Sequence, residues 1–193
     1  MQQTKPIVSI ENVVASATVD QRMDLNEITK KFPEKILKEK ATPLENIDSH
    51  IQRLIDDMLE TMYAAKGVGL AANQIGISKR LCVMDTSLKE DKRPLIVLIN
   101  PVIIEKEGLV ETEEGCLSIP GYSTTIKRAE RVYVRGLNRE GKTLDIGGTG
   151  LLARALQHEI DHLDGLLIID RISPIKREFF KRRYKKFLQE TKK

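Results

Sequence analysis

The chain has 193 residues and a mass of 21.9 kDa, with 40% hydrophobic and 31% charged residues. That size and balance fit one globular domain with a single sizeable core, and they exclude a disordered or fibrous chain. No apolar run approaches the length of a membrane-spanning helix, and two cysteines cannot staple a disulfide scaffold, which points to a reducing compartment. The net charge of +4 hides a split: residues 171–193 hold ten basic and two acidic side chains, +8, which leaves residues 1–170 at −4.

In chain order, residues 1–22 match neither a secretory signal, whose apolar stretch they lack, nor an organellar transit peptide, which is Arg-rich and poor in acids. Residues 1–29 read as an N-terminal extension, poorly ordered or an extra strand, with Met23 as an alternative start. From Ser49, Ile51, Leu54, Ile55, Met58, Leu59 and Met62 recur at i, i+3, i+4, i+7, i+8 and i+11, one face of an amphipathic helix capped by Asp48 or Ser49. The glycines of KGVGLAANQIG (66–76) should end it.

Beyond that point the period drops towards two and β-branched residues dominate. Strands are expected at 80–85, at 94–105 with a break at Pro101, and at 122–128, 131–138 and 142–146, with NREG (138–141) as a hairpin turn. Thr149 and Gly165 bracket a second helix, and a third starts near Pro174. The whole reads as an α+β domain, with antiparallel sheets around a central helix and a basic C-terminal helix over residues 173–193. In that last helix Ile172, Ile175, Phe179, Tyr184, Phe187 and Leu188 are expected to face the body. Lys176, Arg177, Lys181, Arg182, Lys185 and Lys186 are expected to face solvent.

The chemistry concentrates on the second helix. His158 and His162 in HEIDH stand four apart, so both imidazoles can grip one ion, with Glu159 beside it as a general base rather than a ligand. A third ligand is not evident downstream. Ile168 occupies the position where one zinc-protease pattern has its third histidine, and the remaining carboxylates, Glu178 and Glu190, lie in the basic tail. Upstream, Cys116 in EEGCLSIPG completes a Cys-His-His set with one position open, the mark of a catalytic centre. Cys82 reads as core and His50 as surface. In GVGLAANQIG (67–76), small residues leave room for an extended ligand, and Gln74 can donate its amide to a developing oxyanion.

Together GVGLAANQ (67–74), EGCLS (114–118) and QHEIDH (157–162) resemble, in order and spacing, the three signature motifs of the peptide deformylases, and the likeness runs from about residue 30 to 176. The lack of a long insertion before EGCLS and the C-terminal helix are similar to the bacterial type I branch. The resemblance implies a catalytic domain over 30–172 that removes the formyl group from the N-terminal formylmethionine of nascent chains, releasing formate. It implies Cys116, His158 and His162 as metal ligands. Glu159 would take a proton from the metal-bound water and pass it to the leaving nitrogen. Gln74 and the backbone N–H of Leu117 would meet the oxyanion, and Gly69 would bond the substrate backbone. Val68, Leu151, Ala155 and the ring face of His158 are the candidates for the methionine pocket. The donor set alone argues for zinc; the resemblance implies Fe2+, with Zn2+, Ni2+ or Co2+ as replacements, in a cytoplasmic setting. Arg128 matches a family arginine of structural role, whereas Tyr122-Ser123 stand where many bacterial members carry a basic cleft residue. On charge alone the basic tail reads as a solvated helix face; the resemblance implies the ribosome as its partner. A zinc endopeptidase and a non-catalytic RNA-binding module are the competing readings.

Overall fold

The computed structural model describes residues 28–87 and 95–190, so the N-terminal extension lies outside the described residues apart from its last two positions. Helix α1 (Ser49–Ala64) begins where Asp48 Oδ1 accepts the N–H groups of His50 and Ile51, at 2.9 and 3.0 Å, which satisfies two of its orphan donors. It ends before the glycines, on Lys66 in the left-handed region at φ 55°.

Strands β1 (Gly69–Ala71), β2 (Leu81–Met84) and β3 (Ile96–Glu107) follow, then β4 (Val110–Cys116), β5 (Ile119–Arg128), β6 (Arg131–Leu137) and β7 (Thr143–Thr149). All pair antiparallel, in a five-stranded sheet of order β1-β2-β3-β6-β7 and a β4–β5 ribbon. Helices α2 (Gly150–Leu163) and α3 (Pro174–Glu190) complete the α+β fold. Alternation along the central strands decides the layers. Leu70, Leu81, Val83, Val97 and Ile99 point to α1 and pack on Ile55, Met58 and Met62. Ala71, Cys82, Met84 and Leu98 point the other way, onto Ala153, Leu156, Ile160 and Leu163 of α2. Each fully buried apolar side chain contributes about 1.5–3 kcal/mol, so this sandwich holds α2 rigidly.

Several sequence expectations are corrected. Pro101 does not break its strand: β3 runs through it with a shift in register between Ile99 and Val102, beside Asn100 at φ 52°, because a bulge tolerates the missing N–H. The segment 110–116, not expected as a strand, is β4; its acids alternate with inward Val110, Thr112 and Glu114 and weaken the apolar signal. Thr149 precedes α2, but its hydroxyl makes no cap bond. At the other end Leu166 N–H reaches Asp161 O (2.8 Å) and Gly165 N–H reaches His162 O (3.0 Å), a Schellman ending. Gly165 is required there twice over, by its φ of +75° and by the Lys38 carbonyl lying where a Cβ would stand.

Helix α3 turns Tyr184 and Leu188 inward as the sequence suggests, but Phe180 takes the place expected of Ile175, Phe179 and Phe187. Phe180 and Tyr184 are buried and Leu188 is half-buried, whereas Ile175 and Phe179 are exposed. The buried face packs on Phe32, Leu37, Ile119, Tyr122, Ile126 and Ile168, a cluster that includes no residue of α2. The rings of Tyr122 and Phe180, with centroids 4.5 Å apart and planes tilted by 56°, help to set the rotation of the helix. Arg177 is not free in solvent; it donates to the carbonyls of Ile169 (2.9 Å) and Asp170 (3.0 Å). Among the described residues no helix is long and apolar enough to cross a membrane.

Candidate metal centre

Strand β4 and helix α2 face each other with their polar sides. Inward alternation on β4 brings Glu114 to α2 and leaves Cys116 at the strand's end, where the ladder slips from Gly115↔Ser123 to Cys116↔Ile119. His158 and His162 occupy successive turns of α2, their ring centroids 4.9 Å apart. The structure thus gathers Cys116 Sγ and one nitrogen of each histidine within 4.8 Å of one another, with Sγ 3.1 Å from His162 Nε2. Burial raises the Cys116 thiol, but the charge of His162 and hydrogen bonds from both histidines outweigh it, so the group is held well below its ordinary value.

The surroundings of the three donors are already oriented. His158 Nδ1 bonds Glu114 Oε2 at 3.0 Å, leaving Nε2 for the cluster. Glu114 also accepts Arg128 Nε (3.0 Å) and Nη2 (2.9 Å), and Arg128 reaches on to Asp161, which is held in turn by Arg171. Burial raises the Glu114 carboxyl, yet bonds from His158 and Arg128 bring it down to about 2. Gln74 sits in a short 3-10 turn (Ala72–Ile75), and its Oε1 accepts the Ala71 N–H at 2.8 Å. That bond turns Nε2 towards Ser118 Oγ (3.3 Å) and Cys116 Sγ (3.7 Å).

Glu159 is 3% exposed, and its Oε2 has no hydrogen-bond partner. Burial pushes its carboxyl above the ordinary value. The carboxylate lies over Gly69, where any Cβ would collide with it. A buried carboxylate without a partner costs free energy unless a ligand satisfies it; His162 Nδ1 is orphaned in the same way. One thiol, two imidazoles and an idle carboxylate suit a divalent ion with an open position, so the residues fit the metal that the motifs imply.

The remaining predicted residues fall around this centre. Gly69 is on β1, the edge strand of the sheet, beside Val68, which is 45% exposed rather than core. Leu151 is half-buried and Ala155 buried, on the same face of α2 as His158. Leu117 follows Cys116 directly and is half-buried. Away from the centre, Cys82 is buried under α2 and His50 is exposed. Tyr122 packs under α3 rather than lining a cleft. Glu178 and Glu190 are exposed on α3, paired with Arg182 and Lys186, so neither supplies a downstream protease ligand.

Sequence reasoning gave no role to Glu114, Asp161, Asn73 or Lys31. Strand parity could have separated Glu114 from Glu113, had β4 been recognised. Lys31 donates to the Leu117 carbonyl at 3.0 Å, while Lys30 N–H and Phe32 N–H bond the carbonyls of Gln74 (2.6 Å) and Ser118 (2.9 Å). The segment after the extension therefore clasps both elements that carry oxyanion donors, a long-range contact with no local signal.

Comparison with known proteins agrees with this geometry. The family described as Polypeptide deformylase matches residues 26–178. A peptide deformylase of Thermodesulfovibrio yellowstonii is 59% identical over 156 residues, 81% of this chain and 94% of the relative. A peptide deformylase structure from Legionella pneumophila superposes with a TM-score of 0.79 at 48% identity, covering 86% of this chain and 96% of that one. One from Synechococcus elongatus, solved in complex with actinonin, gives a TM-score of 0.75 at 39% identity, covering 80% and 86%.

Proposed function

The chain belongs to the polypeptide deformylase family, and from that premise we propose how its residues remove the formyl group from formylmethionyl nascent peptides, releasing formate and a free amine. The observation that carries the reading is the convergence of Cys116, His158 and His162 beside a buried, unbonded Glu159 carboxylate. When bound, the ion polarises the formyl carbonyl and lowers the pKa of a water towards neutrality. Glu159, raised by burial and unsatisfied, accepts the proton from that water and returns one to the leaving nitrogen. Gln74, its amide pinned by Ala71, aims a donor at the developing oxyanion, and the N–H of Leu117 is the second donor. The open edge of β1 receives the peptide as an added strand through Gly69, and Val68, Leu151 and Ala155 line the side of the methionine.

In this reading the native ion is Fe2+, with Zn2+, Ni2+ or Co2+ as functional replacements. The mixed thiolate–imidazole set and the likeness of all three motifs to the family support it. Unpaired Cys82 and Cys116 suit a cytoplasmic setting. The exposed Lys176, Lys181, Arg182, Lys185 and Lys186 of α3 offer a phosphate-binding face for the ribosome. The test is product analysis with a formyl-methionyl tripeptide: formate and an intact free-amine peptide are expected. Cleavage of an internal peptide bond would assign an endopeptidase instead.

A further inference from the structure

The polar atoms packed behind the histidines leave one donor and one acceptor unused. With Nε2 of His162 facing Cys116, the neutral imidazole of a metal ligand must carry its proton on Nδ1. That nitrogen is buried, the residue being 1% exposed, and has no partner. Its counterpart His158 has Glu114 in this position. Asn73 stands behind His162, 0% exposed, and its Nδ2 donates to the His162 backbone carbonyl. The carbonyl accepts only, so this bond identifies which end of the amide is which, and Oδ1 is left buried and unbonded. Nδ1 is the ring nitrogen nearer the histidine's own backbone, the side on which Asn73 is anchored.

We infer that Asn73 is the positioning residue of His162: its Oδ1 accepts the Nδ1–H through one buried water, the role that Glu114 fills directly for His158. A bridging water needs polar partners in an enclosed space, and these two orphans supply them. The two histidine ligands would then be oriented by unlike groups, a carboxylate on one side and a neutral amide on the other. The amide adds no second negative charge beside a thiolate and Glu159. This inference rests on Cys116, His158 and His162 holding the metal.

Two substitutions separate this role from packing alone. Asn73→Leu removes both ends of the amide, whereas Asn73→Asp removes the donor to the His162 carbonyl but keeps an oxygen for Nδ1–H. Zinc affinity of the full chain is measured by competition with a chelator. The leucine variant is expected to weaken it by roughly 10–100-fold, and the aspartate variant to recover most of that loss. Equal losses in both variants, or unchanged affinity in the leucine variant, overturn the inference. A second readout needs no variant. In the zinc-loaded chain, labelled with 15N-histidine, His50, His158 and His162 are the only sources of signal. The His162 Nδ1–H is expected as a hydrogen-bonded, slowly exchanging proton, and rapid exchange with water contradicts the proposal. A chain that binds no zinc overturns the metal reading as well, a result distinct from one that binds zinc without regard to Asn73.

Discussion

On α2, Glu159 and Asp161 are buried, as is the facing Glu114, and each is either bonded in a fixed direction or held without a partner beside the cluster. On α3, Glu178 and Glu190 are exposed and pair with Arg182, four residues on, and Lys186, four residues back, at 3.4 and 3.8 Å. The same residue types therefore do different work. A solvated i,i+4 pair contributes about 0.3–0.5 kcal/mol and is replaceable. A buried, paired carboxylate such as Glu114 or Asp161 cannot be replaced singly without cost, because its partner is left charged and dry. Function is concentrated where desolvation makes charge expensive, whereas Lys176, Lys181, Arg182, Lys185 and Lys186 of the tail face solvent.

The sharpest way to break this contrast is Glu159→Ala. Loss of the general base should lower kcat/KM for formate release by roughly 10²–10⁴-fold, with metal content unchanged. Gln74→Leu should cost roughly 10²–10³-fold, mainly in kcat, as removal of one oxyanion donor does. Arg128→Met, which leaves Glu114 with only His158 and Asp161 with only Arg171, should lower unfolding free energy by about 3–5 kcal/mol in denaturant titrations.

The same network sharpens the comparison through pH. Glu114 is depressed from 4.5 to about 2 in the folded chain, so its stabilisation is fully present above the unfolded value. It is lost as pH falls from about 4.5 through about 2. Thermal scans across that window should show a steeper acid loss for the parent than for Arg128→Met. At the small end, Lys181→Glu with Lys185→Glu should leave turnover of short peptides and stability nearly unchanged. Ribosome affinity in sedimentation assays should fall, and the parent's affinity should decline with salt. Unchanged affinity would remove the ribosome from the account.

The parts legible in the sequence were those with a local period or a tight spacing. The face of α1 and the pair His158/His162 follow from 3.6 residues per turn, and the NREG turn from its Asn and Gly. The rotation of α3 was not legible, because Phe179 and Phe180 are equally apolar and distant residues such as Phe32 and Tyr122 decide between them. Strand β4 was hidden because its outward face is Glu111, Glu113 and Gly115, which carry no β signal. Glu114, Asn73 and Lys31 act across 44, 89 and 86 residues of chain, contacts created only by packing.

One titration tests the metal centre most directly. Chain purified without oxygen and stripped of metal is reloaded with Fe2+ while formate release from a formyl-methionyl peptide is followed. Activity is predicted to rise to a plateau at about one ion per chain, and Cys116→Ala should neither bind that ion tightly nor release formate. Formate release by the stripped chain, or by Cys116→Ala at the parent's rate, would contradict the assignment of the centre.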